Sequence, residues 1–215
     1  MRLYVKLSVI LLTLIMMGCE SAYYNTMENF GVHKRDILVD RVVDARDSQQ
    51  EAQEQFKSAL EEFKAVVNVD GGKLERAYNR LNKEYEGSEE SAELIRERIA
   101  SIESVAGALF KEWEAELKQY SSASLKRESQ TQLSATRSKY RQLLAVMRNA
   151  ESRLTPVLNS MRDQVLYLKH NLNARAIQSL KGEVVTINRD VDHLLAAMEK
   201  AIAEADDFIR EMKVD

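Results

Sequence analysis

Residues 177–212 read IQSLKGEVVTINRDVDHLLAAMEKAIAEADDFIREM. Ile177, Leu180, Val184, Ile187, Val191, Leu194, Met198, Ala201, Ala205, Phe208 and Met212 step along this stretch by alternating three and four residues. A mean step of about 3.5 residues is a heptad seam, and a seam kept in phase this long predicts helices that supercoil around one another. The fold class follows from this stretch: all-α, built on buried seams.

The same pattern recurs upstream. Leu38, Val42, Ala45, Gln49, Ala52, Phe56, Ala59, Phe63 and Val66 form one tract. Ala92, Ile95, Ile99, Ile102, Ala106, Leu109, Trp113, Leu117 and Tyr120 form a second, with one four-residue step after Trp113 where three would keep phase. A third runs through Leu133, Thr136, Tyr140, Leu143, Met147, Ala150, Leu154, Val157 and Met161. With one proline and seven glycines in 215 residues, the chain has few residues that punctuate strands or tight turns.

The breaks lie where the sequence turns polar or glycine-rich. Val69-Asp70-Gly71-Gly72 is expected to end the first helix, since glycine takes the left-handed cap conformation at little steric cost. Glu86-Gly87-Ser88-Glu89-Glu90 reads as a second break, which leaves residues 73–86 as a short amphipathic helix. Residues 121–132 carry few apolar side chains, so either a hairpin forms there or tracts two and three continue as one rod. Asn171-Leu172-Asn173 is a candidate turn. At Pro156 the heptad phase continues, which predicts a kink or a fresh first turn capped by Thr155. Counting from these breaks gives four segments of about 60 to 70 Å at about 1.5 Å per residue. The expected architecture is an elongated antiparallel coiled-coil helical bundle of about four long helices plus one short helix, filling residues 35–215. Alanine at Ala45, Ala52, Ala59, Ala106, Ala150, Ala201 and Ala205 lets helix axes approach closely.

The N-terminus is of another kind. Arg2 and Lys6 precede an apolar run from Leu7 to Met17, and Gly18-Cys19 follows. This is the layout of a secretory signal. The run spans about 16 Å as a helix, half of a hydrocarbon core of about 30 Å, which favours cleavage over a spanning segment. Leu14-Ile15-Met16-Met17-Gly18-Cys19 resembles the lipobox of bacterial lipoproteins, with Met16 departing from the usual Leu. The resemblance implies cleavage of residues 1–18 between Gly18 and Cys19 and acylation of Cys19 with palmitate-like chains. Residues 19–34 would then form a tether, with Tyr23, Tyr24 and Phe30 either at headgroup level or in the first turn of the next helix. The open alternatives are an uncleaved anchor and an ordinary signal-peptidase site. By resemblance to lipoprotein sorting in double-membrane bacteria, Glu20 favours the outer membrane, facing the periplasm.

Composition narrows function further. Loss of Arg2 and Lys6 with the signal takes the formal net charge from −3 to −5, which disfavours phosphate-backbone binding, so no nucleic-acid partner is expected. One cysteine leaves no Cys-based metal cluster. His33, His170 and His193 lie in different segments and supply two metal ligands at most on one face with their neighbouring aspartates, short of what zinc requires. Acidic pairs such as Glu61-Glu62 and Asp206-Asp207 read as solvated faces, and Gly71-Gly72 lacks the Lys-Ser/Thr of a nucleotide loop. No enzyme activity, cofactor, metal or small-molecule substrate is expected. Two places stand out for partner binding: Trp113, a seam residue or an anchor, and Lys169-His170-Asn171-Leu172-Asn173-Ala174-Arg175, a turn or a polar patch carrying His170, Asn171, Asn173 and Arg175.

The lipobox-like start, Tyr23-Tyr24, residues 34–39 (KRDILV) and residues 169–174 (KHNLNA) together resemble an uncharacterised gammaproteobacterial family catalogued as a domain of unknown function. That resemblance implies no activity. The expected role is a structural or adaptor lipoprotein, held on the membrane by its lipid, that binds an envelope protein or itself; the alternative is a membrane-surface stress effector whose amphipathic helices bind lipid.

Overall fold

The structure is a computed structural model that describes residues 33–68 and 73–214. The signal segment, Gly18, Cys19, the tether as far as residue 32 and the break at 69–72 lie outside the described residues. Four α-helices follow one another: α1 (Lys34–Val66), α2 (Leu74–Glu116), α3 (Ala123–His170) and α4 (Ala174–Val214). The chain is a helical bundle, as the seams predict, with helices of 33, 43, 48 and 41 residues.

Burial follows the heptads. All nine seam residues of α1, from Leu38 to Val66, are at most 2% exposed. In α4, Leu180, Ile187, Val191, Leu194, Met198, Ala201 and Ala205 are equally buried. The seven seam alanines are buried too, which fits close approach of the helix axes.

The described residues divide into two compact units, residues 33–41 with 100–140, and 42–99 with 141–214. In the second unit four helical segments pair in antiparallel fashion. Arg98 Nη1 meets Asp44 at 3.2 Å, Gln55 Nε2 donates to the Glu84 carbonyl at 3.0 Å, and Arg80 meets Glu62 at 3.0 Å, so α2 descends as α1 ascends. On the other side of α1, Arg46 pairs with Asp206 at 3.0 Å and Gln53 donates to the Leu195 carbonyl at 3.1 Å. Arg96 Nη2 reaches Thr155 of α3 at 3.3 Å, and the turn at 171–173 folds α4 back on α3. In the first unit Lys34, only 4% exposed, pairs with Glu112 at 3.0 Å, and Arg137 of α3 pairs with Glu114 of α2 at 2.9 Å.

One local expectation needs correction and two are narrowed. No break occurs at 86–90: α2 runs from Leu74 straight through Gly87, and the expected short helix is its opening turns. Leu74, Leu81, Tyr85, Ser88, Ala92 and Ile95 are all buried on one seam, with Ser88 occupying a core position at 0% exposure. Its hydroxyl donates to the Glu84 carbonyl one turn back at 2.8 Å, so the polar group costs little there. Gly87 serves a close approach: a Cβ on it would stand 3.0 Å from the Gln55 amide nitrogen, the group that bonds the Glu84 carbonyl. The turn between α2 and α3 covers only 117–122, and most of 121–132 is helical from a Ser122 N-cap, whose carbonyl accepts Lys126 N at 3.0 Å. Pro156 starts no new helix. It lies on the exposed side of α3 within a continuous helix, while Leu154, Val157 and Met161 keep the seam buried.

Gln49 is the exception within the α1 seam. It is 1% exposed, and neither its amide nitrogen nor its amide oxygen has a hydrogen-bond partner among the described residues. An unsatisfied buried polar group costs about 1–3 kcal/mol. Replacing Gln49 by Met, similar in volume, is therefore expected to stabilise the fold by about 1–3 kcal/mol, read as a higher urea midpoint at unchanged slope; a lower midpoint would show that the amide is satisfied after all. The glycines give a second check. Gly107 has open space around the position of a Cβ, so Gly107→Ala should gain about 1 kcal/mol of helix propensity, whereas Gly87→Ala should gain clearly less because the Gln55 amide must shift. Equal gains at the two sites would contradict the close approach.

Candidate functional site

The α3–α4 hairpin belongs to the second unit. Two of the candidate residues there make the turn itself. Asn173 caps α4, its side-chain oxygen accepting the backbone N–H of Arg175 at 3.0 Å and of Ala176 at 3.1 Å. Asn171 closes α3, its amide donating to the Tyr167 carbonyl at 2.9 Å. The other two, His170 and Arg175, are exposed. Sequence reasoning missed their apolar neighbours: Leu166, Tyr167 and Leu172 are 51%, 40% and 41% exposed. Only burial separates them from the seam. Met161, Val165 and Leu168 carry the α3 seam inward, which leaves Leu166 and Tyr167 off it.

Trp113 lies in the first unit and is half-buried. Its indole N–H donates to the Ser129 hydroxyl at 2.8 Å, and Ser129 is itself buried. One turn back, the Phe110 ring meets Tyr140 edge-on at 5.4 Å between centroids, and the Arg137 guanidinium stands 4.9 Å from the Phe110 centroid. Trp113 thus joins α2 to α3 as a packing residue with its polar atom satisfied.

His193, exposed on α4, lines three open grooves of about 310 to 340 Å³ in the second unit. Arg153 and Lys200 share one of them with His193, whereas Asp190 and Asp192 line the others. Asp190 pairs with Arg189 at 3.1 Å, and Asp192 accepts from the Asn188 amide at 2.6 Å. Such mixed charge on a largely exposed surface describes a solvated face. Among the described residues no group of three or more His, Cys, Asp or Glu side chains is placed to hold a metal, and no helix is long and apolar enough to cross a membrane.

Two shifted ionisations belong to helix packing. Burial pushes the Tyr85 phenol up to about 12, helped by the hydrogen bond it donates to Glu89 at 2.5 Å. Hydrogen bonds to Asp47 and Asp206 raise Arg46, which holds α1 to α4.

The hairpin therefore combines side chains that build a turn with side chains that only face solvent. Asn173→Ala is expected to cost about 1 kcal/mol through loss of the cap, while Lys169→Ala, His170→Ala and Arg175→Ala should each stay within about 0.5 kcal/mol of wild type in chemical denaturation. A large loss from any of the latter three would place that side chain in the fold.

Searches of curated proteins and of solved structures return no match. A family model described as "Protein of unknown function (DUF2959)" matches residues 23–212, nearly the whole helical body, and the chain belongs to that family.

Proposed function

We propose that the protein is a lipid-anchored adaptor of the bacterial cell envelope, with a helical body that binds another envelope protein or a second copy of itself. The observation that carries this reading is where the apolar seams go. Leu38, Phe56, Ile99, Leu154 and Leu194 are fully buried against other helices of the same chain, so the body is self-contained and offers mostly charged faces to its surroundings. A body of that kind suits positioning and recognition. The N-terminal Gly18-Cys19 after an apolar run supplies the tether: each buried methylene of an acyl chain adds about 0.8 kcal/mol of membrane affinity, and two or three chains hold a protein permanently.

The reading in which amphipathic helices lie flat on lipid requires those seams to open. Exposing even a few buried Leu, Ile or Phe side chains costs about 1.5–3 kcal/mol each, which soon exceeds the stability of an ordinary domain.

Wild type and Cys19→Ala, compared by intact mass and membrane fractionation, test the anchor. Wild type is expected to lose residues 1–18, gain acyl mass and sediment with membranes, while the variant keeps residues 1–18 and gains no acyl mass. Two full-length cytosolic proteins would refute it. Crosslinking in membranes then tests the adaptor role, which a result with neither partner nor self-contact would exclude.

A further inference from the structure

The tip of the α3–α4 hairpin departs from the rest of the chain in two ways. Leu166, Tyr167 and Leu172 stand exposed there within seven residues. Around them the sequence holds no acidic residue from Gln164 to Gly182, in a chain that has 34 of them, while Lys169, His170, Arg175 and Lys181 all fall inside that window and are all exposed. The nearest acidic residue of α3, Asp163, pairs with Arg162 at 3.7 Å. Neither Lys169, Arg175 nor Lys181 is ion-paired with a described residue. The exposed apolar side chains at the α2–α3 turn, Tyr120 and Leu125, have no such setting, because Glu116 and Glu128 stand among the cations there.

We propose that this hairpin tip docks on an anionic lipid surface, with Leu166, Tyr167 and Leu172 entering the headgroup boundary and Lys169, Arg175 and Lys181 meeting lipid phosphates. Tyrosine with its ring in the boundary and its hydroxyl in water is suited to that depth, and lysine and arginine stems extend outward to the headgroups. The charge chooses the occupant. A second copy docked through the same patch would set cations against cations, and a neutral surface would leave the cations without counter-charges. The contact differs from the opened amphipathic helices considered above, since it uses side chains already exposed in the folded bundle. It takes from the proposed function only the envelope setting.

Leu172→Cys in the full chain, carrying an environment-sensitive dye, tests the docking. Acylated Cys19 has no free thiol, so one dye per chain reports lipidation independently and two dyes report its failure, whatever the hairpin does. After reconstitution, a blue-shifted emission is expected in vesicles of phosphatidylcholine with phosphatidylglycerol and not in phosphatidylcholine alone. A control dye at Ser58→Cys, exposed on α1, should report no shift in either. Lys169→Gln and Arg175→Gln should each lower the docked-to-undocked ratio about fivefold at low salt. No shift in phosphatidylglycerol vesicles, or an equal shift in both kinds, would overturn the proposal. So would a shift that grows with protein concentration before vesicles are added, because a second copy would then be the occupant.

Discussion

Everything in this fold depends on the seam of α1 staying covered. Nine consecutive heptad positions from Leu38 to Val66 are buried almost without remainder, and polar contacts tie the same helix to α2 on one side and to α4 on the other. A continuous seam does not tolerate one helix drifting past another by a residue, since that would rotate every knob out of its hole. Polar pairs that cross from helix to helix, Asp44 with Arg98, Glu62 with Arg80 and Arg46 with Asp206, sit beside the seam and mark its alignment. Being largely exposed, they contribute little stability individually. Their value lies in disfavouring wrong alignments, where the same charges would be left unmatched.

Polar residues inside the core are handled in three ways. Ser88 turns its hydroxyl back on its own helix. Lys34 finds a carboxylate on the neighbouring helix and keeps its aliphatic stem in the core. Gln49 does neither. In an apolar seam a lone amide is a local weakness that also makes its own heptad unlike the others, and single polar seam residues are known to specify alignment at a cost in stability.

The heptad tracts were legible because periodicity is a property of the chain alone. Leu38 to Val66 and Ile177 to Phe208 could be read as buried stripes without knowing what covered them. The Asn171–Asn173 turn was legible for a similar reason, since its hydrogen bonds are local. What escaped reading depends on distant residues. Gly87-Ser88 looks like a helix end by every local signal, and only Gln55, 29 residues before Glu84 and brought in by the fold, shows what a glycine makes room for within a continuous helix. The exposed trio at the hairpin escaped notice because Leu166 and Tyr167 look like seam residues until the burial of Val165 and Leu168 fixes which way the helix faces. Lys169, His170 and Arg175 were visible as an unusual cluster, but not the apolar company that gives them meaning.

The order in which the helices come together along the chain has its own consequence. Neighbours α1 and α2, α2 and α3, and α3 and α4 meet through short connections, whereas the α1–α4 contacts join residues 142 and 160 positions apart. A chain delivered N-terminus first completes α1 early and α4 last, so the α1 seam waits half-covered until synthesis is nearly finished. Over that interval Phe56 and Phe63 are available to any other hydrophobic surface. Truncation before Leu195 removes both α1–α4 contacts and would make the exposure permanent, and the fragment's fate would then be decided by aggregation or proteolysis instead of by its remaining helix pairs.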